Sequence, residues 1–328
     1  MKPLKIITIL IVIVFFALFL KATDFQVVAV TIKSFGFHFL YLLLITLTAY
    51  LLATIGWKYC LGKEVKQIGI INLFVIRHLG EMFSIINPAS VIGGEALKVY
   101  LLKEKGLEKT TVVASLLISR ILMAATQLAL FFLALILVFL LDNKRIPGLF
   151  ELITLGFGIG LCIIAIAFGL RNNSVYKKLI EYPKALQLFK YLDRKLMIRP
   201  IISEFNLFFK ANKRGVFLCI LFFTAHWIVG SLEVFFILKF FGINATVLHV
   251  LFVDMGVVIF KAAGAFVPAQ IGVEEFGNKV MLELIGVSDT GIWLTVSILR
   301  RSRQLFWILF GLVVYLFYNK KMTAIADV

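Results

Sequence analysis

Thr110–Leu141 is an apolar run in which the only charged side chain is Arg120. A helix packed on a soluble core keeps a polar face, and this run has none. At 1.5 Å per residue it is long enough to cross ~30 Å of hydrocarbon. Five further runs have the same character: Leu4–Leu20, Phe35–Tyr59, Leu149–Leu170, Val216–Phe241 and Gly291–Tyr318. Backbone polar groups in lipid must be satisfied within the chain, so these runs read as helices. The fold class expected is an all-α polytopic membrane protein with about six full spans. Composition agrees, since 61% of the 328 residues are apolar and 16% charged. An ordinary soluble enzyme needs more polar surface than that to cover its core.

Lys2 and Lys5 stand at the head of Leu4–Leu20, and no small-residue cleavage site follows. This run therefore reads as an uncleaved first span with the N-terminus inside. Two stretches, Val65–Lys105 and Thr246–Gly286, do not read as simple spans. Each is split by a proline into a longer piece and one of about a dozen residues, too short to cross alone. Each stretch is either a re-entrant hairpin or two tight crossings, and both return the chain to the side it entered from. The division expected is 1–34 (first span and connection), 35–141 (span, hairpin, span), 142–214 (linking span and basic loop), 215–318 (span, hairpin, span) and 319–328 (tail). Lys58–Lys66, Lys103–Lys109, Arg171–Arg214 and Lys320–Lys321 then share the cytoplasmic side, while the other side keeps Lys21, Lys33, Lys144 and Arg145. This basic bias supports the orientation, with both termini cytoplasmic. The formal charge of +16 is thereby assigned to topology and anionic lipid rather than to nucleic acid. Cys60, Cys162 and Cys219 are scattered in apolar runs with no metal-ligand spacing, so neither a disulfide framework nor a metal site is expected.

An internal repeat underlies the pattern. Pro88, Glu95, Gly106 and Arg120 recur 180 residues later as Pro268, Glu275, Gly286 and Arg300, without a gap. Given the orientation above, the two units enter the membrane from opposite sides, an inverted-topology repeat. Transporters use that plan, with substrate sites near the midplane between broken helices. Pro88 and Pro268 are the expected hairpin breaks, because proline removes an amide donor and disfavours helix at the residue before it.

Arg120 lies about eleven residues, or ~16 Å, into its span, and Arg300 sits at the equivalent position, joined by Arg301, Arg303 and Gln304. A midplane arginine costs at least about 2.5–3.5 kcal/mol, which implies a wet or protein-lined cavity with anionic partners. The nearest carboxylates in sequence are Glu95, Glu274 and Glu275. They could form structural salt bridges, Glu95 with one arginine and Glu275 with another. The arginines outnumber these three glutamates, however, and Lys98 and Lys279 add to the excess. That surplus favours an anion, phosphate above all, for which guanidinium forks are suited. Glycines at Gly93, Gly94, Gly272 and Gly277 would allow close backbone approach. The first unit has Ile121 and Met123 in place of Arg301 and Arg303, so the second unit is expected to be the main binding side. Among weaker candidates, Arg77 and Glu81 are spaced to pair at i,i+4, beside His78. Asp254 and Lys261, and His226 and Glu233, are each a heptad apart; the former either pair or line the cavity, the latter are a candidate proton site, and Glu233, His226, Asp254, Arg77 and Glu81 together are the candidate coupling residues.

The motif Asn87-Pro88-Ala89-Ser90-Val91-Ile92-Gly93-Gly94-Glu95, followed by Gly106 and Ser119-Arg120, resembles the first signature of the flippase-like transmembrane domain of lysylphosphatidylglycerol synthases and their stand-alone relatives. Val267-Pro268-Ala269-Gln270-Ile271-Gly272-Val273-Glu274-Glu275 is similar to the second. The resemblance covers nearly the whole chain. It implies a prokaryotic inner-membrane protein that moves an anionic phospholipid or lipid-linked substrate between leaflets, without cofactor. With the chain ending at Val328 and no soluble transferase domain in it, synthase activity is not expected to carry over. The candidate partners are the lipid itself, a second copy of the chain, or a lipid-synthesis enzyme. Two other readings are an anion or ion-coupled transporter and a membrane enzyme or enzyme subunit of lipid-linked glycan or lipid modification. For the enzyme the sequence offers no HxxxH, DxD or GxSxG pattern, and the chain is expected not to be an enzyme.

Overall fold

The computed structural model describes residues 25–64, 66–86, 90–142, 198–264, 270 and 272–326. The expected spans Leu4–Leu20 and Leu149–Leu170, the basic loop up to residue 197, and both Pro88 and Pro268 lie outside the described residues. Within them the regular structure is helical: α1 (Phe25–Phe35), α2 (His38–Cys60), α3 (Ile70–Ile86), α4 (Ser90–Glu104), α5 (Lys109–Asp142), α6 (Ile198–Ala211), α7 (Lys213–Phe240), α8 (Val247–Ala263), α9 (Val273–Leu284) and α10 (Thr290–Ala326). The protein is a helical membrane protein. Among the described residues the helices long and apolar enough to cross are α2, α5 and α7. The 37-residue α10 has the length, and carries Arg300, Arg301 and Arg303 in its first half.

The expected span Phe35–Tyr59 begins later than its apolar run suggests. Gly36, at φ +58°, closes α1 by donating its amide to Ile32 O at 2.8 Å, and α2 starts afresh at His38. The two proline-split stretches are each a pair of helices, 17 and 15 residues for α3 and α4, 17 and 12 for α8 and α9. At ~1.5 Å per residue these reach about 18–26 Å, less than a full crossing.

Element ends repeat with the motif. α2 and α7 finish at Cys60 and Phe240, α4 and α9 at Glu104 and Leu284. Gly62 and Gly242, and Gly106 and Gly286, hold the same left-handed turns after those ends. α2 and α7 pack antiparallel along their length. His38 meets Phe240, His226 Nδ1 lies 2.8 Å from Ala49 O, and Cys60 Sγ is 3.3 Å from Cys219 Sγ. Gly56 permits the approach, since a side-chain carbon there would collide with the Phe223 ring.

Two apolar clusters divide the core. Trp57, Leu73, Ile76, Leu102, Ile118 and Phe223 gather α3 and α4 against the first halves of α5 and α7. Phe131, Leu135, Val234, Phe252, Met281 and Leu299 gather α8, α9 and α10 against their second halves. The two helix pairs thus sit at opposite ends of α5.

Candidate functional site

Each helix pair brings a set of charges against an arginine. In the first, Glu81 on α3 and Glu95 and Lys98 on α4 meet Arg120 on α5. Lys98 Nζ donates to Glu81 Oε1 at 2.7 Å and to Glu95 Oε1 at 3.0 Å. Arg120 donates to the same two oxygens, from Nε to Glu95 at 3.1 Å, from Nη2 to Glu81 at 3.2 Å, and from Nη2 also to Glu95. Lys98 is 3% exposed and Arg120 42%. Trp57 lies under the Lys98 ammonium, 5.7 Å from ring centre to nitrogen. These residues line a small pocket together with Arg77, Ser119 and Met123. Two carboxylates there face three cations.

The second set is more evenly matched. Arg300 lies 2.8 Å from Asp254 Oδ1 and 3.1 Å from Glu274 Oε1, with its own side chain 7% exposed. Lys261 Nζ donates to Glu274 Oε2 at 3.0 Å. Arg301 pairs with Glu275, and Arg303 Nη1 reaches Glu233 Oε2 at 3.0 Å and Thr46 Oγ1 at 3.1 Å. Four carboxylates meet four cations. The repeat positions Glu81 and Lys261 carry opposite charges, yet each ties its longer helix to the shorter one, Glu81 through Lys98 and Lys261 through Glu274.

The family model described as the lysylphosphatidylglycerol synthase TM region matches residues 5–318. The chain belongs to that family. No curated protein and no solved structure gives a significant match. For this member of the lysylphosphatidylglycerol synthase TM-region family, a membrane-lipid role is the coarse assignment that membership supports.

Several expected pairings are replaced by others. Glu95 meets Arg120, and Glu275 also meets an arginine, though Arg301 and not the repeat-equivalent Arg300. Glu275 turns back to accept the Gly272 amide at 2.9 Å, capping α9, and faces Arg301 instead. Glu274, one residue earlier and so ~100° round the helix, meets Arg300. Arg77 and Glu81 form no i,i+4 bridge. Arg77 lies over the Tyr50 ring at 5.5 Å while Glu81 is held by Lys98 and Arg120. His226 and Glu233 are two helical turns apart and turn to different neighbours, the Ala49 carbonyl and Arg303. Asp254 and Lys261 likewise serve Arg300 and Glu274 rather than each other.

The glycines act mainly between helices. Any side chain at Gly94 would strike Ser84 and the Gly80 carbonyl, so Gly94 sets the α3–α4 distance rather than a ligand's approach. Gly277 packs against Phe260, and Gly272, at φ +81°, is the left-handed cap of α9. Gly93 is half-buried on α4 and Gln304 half-buried on α10. The cationic surplus expected on the second unit disappears once Asp254 and Glu233 are counted, and of the two charge clusters the one with more cations than carboxylates and a partly exposed guanidinium is the first. Sequence reasoning missed Trp57, Tyr50 and Thr46, all on α2. Nothing in an apolar span marks which of its aromatic or hydroxyl side chains will meet a charge.

Proposed function

We propose that this protein translocates an anionic phospholipid or lipid-linked substrate between leaflets, with Arg120 contacting the headgroup phosphate. The observation that carries the reading is the first pocket: a 42%-exposed guanidinium at membrane depth, in a site with more cations than carboxylates. Lys98 gives the site a way to work. It bridges Glu81 and Glu95, so a phosphate can draw Arg120 away without leaving either carboxylate unpaired. That lowers the cost of exchange, because stranding a buried carboxylate is expensive.

In this reading Arg300, Arg301, Arg303, Glu274 and Glu275 fasten the second hairpin. Gating comes from the two hairpins, re-entering from opposite sides as an inverted-topology repeat. The antiparallel packing of α2 on α7 and the placement of the hairpins at opposite ends of α5 support that arrangement. The chain acts as a translocator, not an enzyme, in a prokaryotic inner membrane with both termini cytoplasmic. Proteoliposomes carrying headgroup-labelled phosphatidylglycerol test the reading. The wild-type protein should expose label from the inner leaflet to an external quencher, and Arg120→Gln should reduce that rate at least tenfold. Ion flux without lipid movement in the same vesicles would make it an ion transporter instead.

A further inference from the structure

A second cavity shares no lining residue with the Arg120 pocket. It is a cleft of about 360 Å³ where α6 crosses the ends of α2 and α5, lined by Cys60, Thr111, Ala114, Ser115, Ile118 and Phe208 among others. Thr111, Ala114, Ser115 and Ile118 follow helical spacing along one face of α5. Arg120, Ser119 and Leu116 point to the other side. The cleft is mostly apolar, carries the Glu204 carboxylate on its α6 side and has, among the described residues, one unanswered polar group. The Thr111 hydroxyl is buried and has no hydrogen-bond partner. Its neighbour Ser115 is already satisfied, accepting from Trp57 Nε1 at 3.2 Å and donating to Val112 O at 2.8 Å. A buried donor without an acceptor costs about 1–3 kcal/mol, so a ligand carrying an acceptor gains from the site.

Three further features select the ligand. Thr111 is the third residue of α5, in the first turn of a helix long and apolar enough to cross a membrane. Exposed Lys109, Lys210, Lys213 and Arg214 stand next in sequence to residues that line the cleft or within two of them. On the same face of α5, Ala125, Ala129 and Leu133 continue as a groove of about 330 Å³ against Ile220 and Thr224 of α7. From Thr111 to Leu133 this face runs ~33 Å, about the thickness of the hydrocarbon core.

We propose that the cleft binds one anionic glycerophospholipid, its ester carbonyl accepting from Thr111, an acyl chain lying along α5, and its headgroup among Lys109, Lys210, Lys213 and Arg214. The site lies apart from the Arg120 pocket and does not depend on translocation. Native mass spectrometry of the purified chain, with phosphatidylglycerol or phosphatidylcholine added to the detergent, tests it. One phosphatidylglycerol should be retained, with an affinity at least about tenfold above phosphatidylcholine. Replacing all four basic residues by Gln should weaken phosphatidylglycerol binding roughly a hundredfold and leave phosphatidylcholine binding unchanged. Ala114→Phe should fill the cleft and abolish retention. Thr111→Val, nearly isosteric and safe for folding, should weaken it by roughly two- to tenfold. Arg120→Gln should bind as the wild type does, so loss of translocation and loss of this site are separate results. Equal retention of the two lipids by the wild type overturns the proposal, as does undiminished phosphatidylglycerol binding by the four-residue or Thr111→Val protein.

Discussion

Arg300→Gln and Arg120→Gln remove the same group from equivalent repeat positions, and the structure gives them opposite consequences. Arg300 is 7% exposed and serves Asp254, itself 7% exposed, and Glu274. Its loss leaves Glu274 with Lys261 but strands Asp254, which should cost about 3–5 kcal/mol. Arg120 is 42% exposed, and both its carboxylates keep Lys98. Its loss should cost no more than about 1 kcal/mol. In a thermal unfolding assay in detergent, Arg300→Gln should fall by roughly 10 °C and Arg120→Gln by no more than about 4 °C. The double change Arg300→Gln, Asp254→Asn should regain most of the loss and retain lipid movement, whereas Arg120→Gln should fold and not transport. Comparable destabilisation by the two single changes would refute the contrast. A stable double variant unable to move lipid would put Arg300 in the headgroup path.

Gly94→Ala should separate α3 from α4 and cost about 1–3 kcal/mol, read as a lowered melting temperature; an unchanged value would refute the tight packing at Gly80 and Ser84. Ala at Gly106 or Gly286, each in a left-handed turn with no atom nearby, should cost about 1–2 kcal/mol and by similar amounts, since the two turns are repeat mates. Diamide treatment of a Cys162→Ala protein should join Cys60 to Cys219 and remove two alkylatable thiols, because the sulfurs lie 3.3 Å apart; two thiols still alkylated would contradict the α2–α7 register. Single cysteines at Lys105 and Asp289 should react with impermeant reagent from opposite sides, and reaction from one side would rule out the inverted repeat.

The helical membrane class, the family and the 180-residue spacing of the repeat follow from the order of residues along the chain. Those properties rest on local quantities: runs of apolar residues fix which segments can sit in lipid, and Gly62, Gly106, Gly242 and Gly286 fix where helices turn. Chain adjacency also brings the helix of Glu95 against that of Arg120, where the two side chains meet. The partners of Arg300 and Arg303 were decided by the tertiary structure alone. Asp254 and Glu233 come from α8 and α7, and periodicity along one helix cannot say which face another helix will present to it. The same holds for Glu275, where a local competition between capping Gly272 and reaching an arginine is settled by where α10 lies. Charge balance at a site is a sum over every packed element, so the excess of arginine on the second unit was a property of one segment and not of the assembled pocket. Only the packed helices show which arginine is buried among its carboxylates and which, though paired, stays partly exposed.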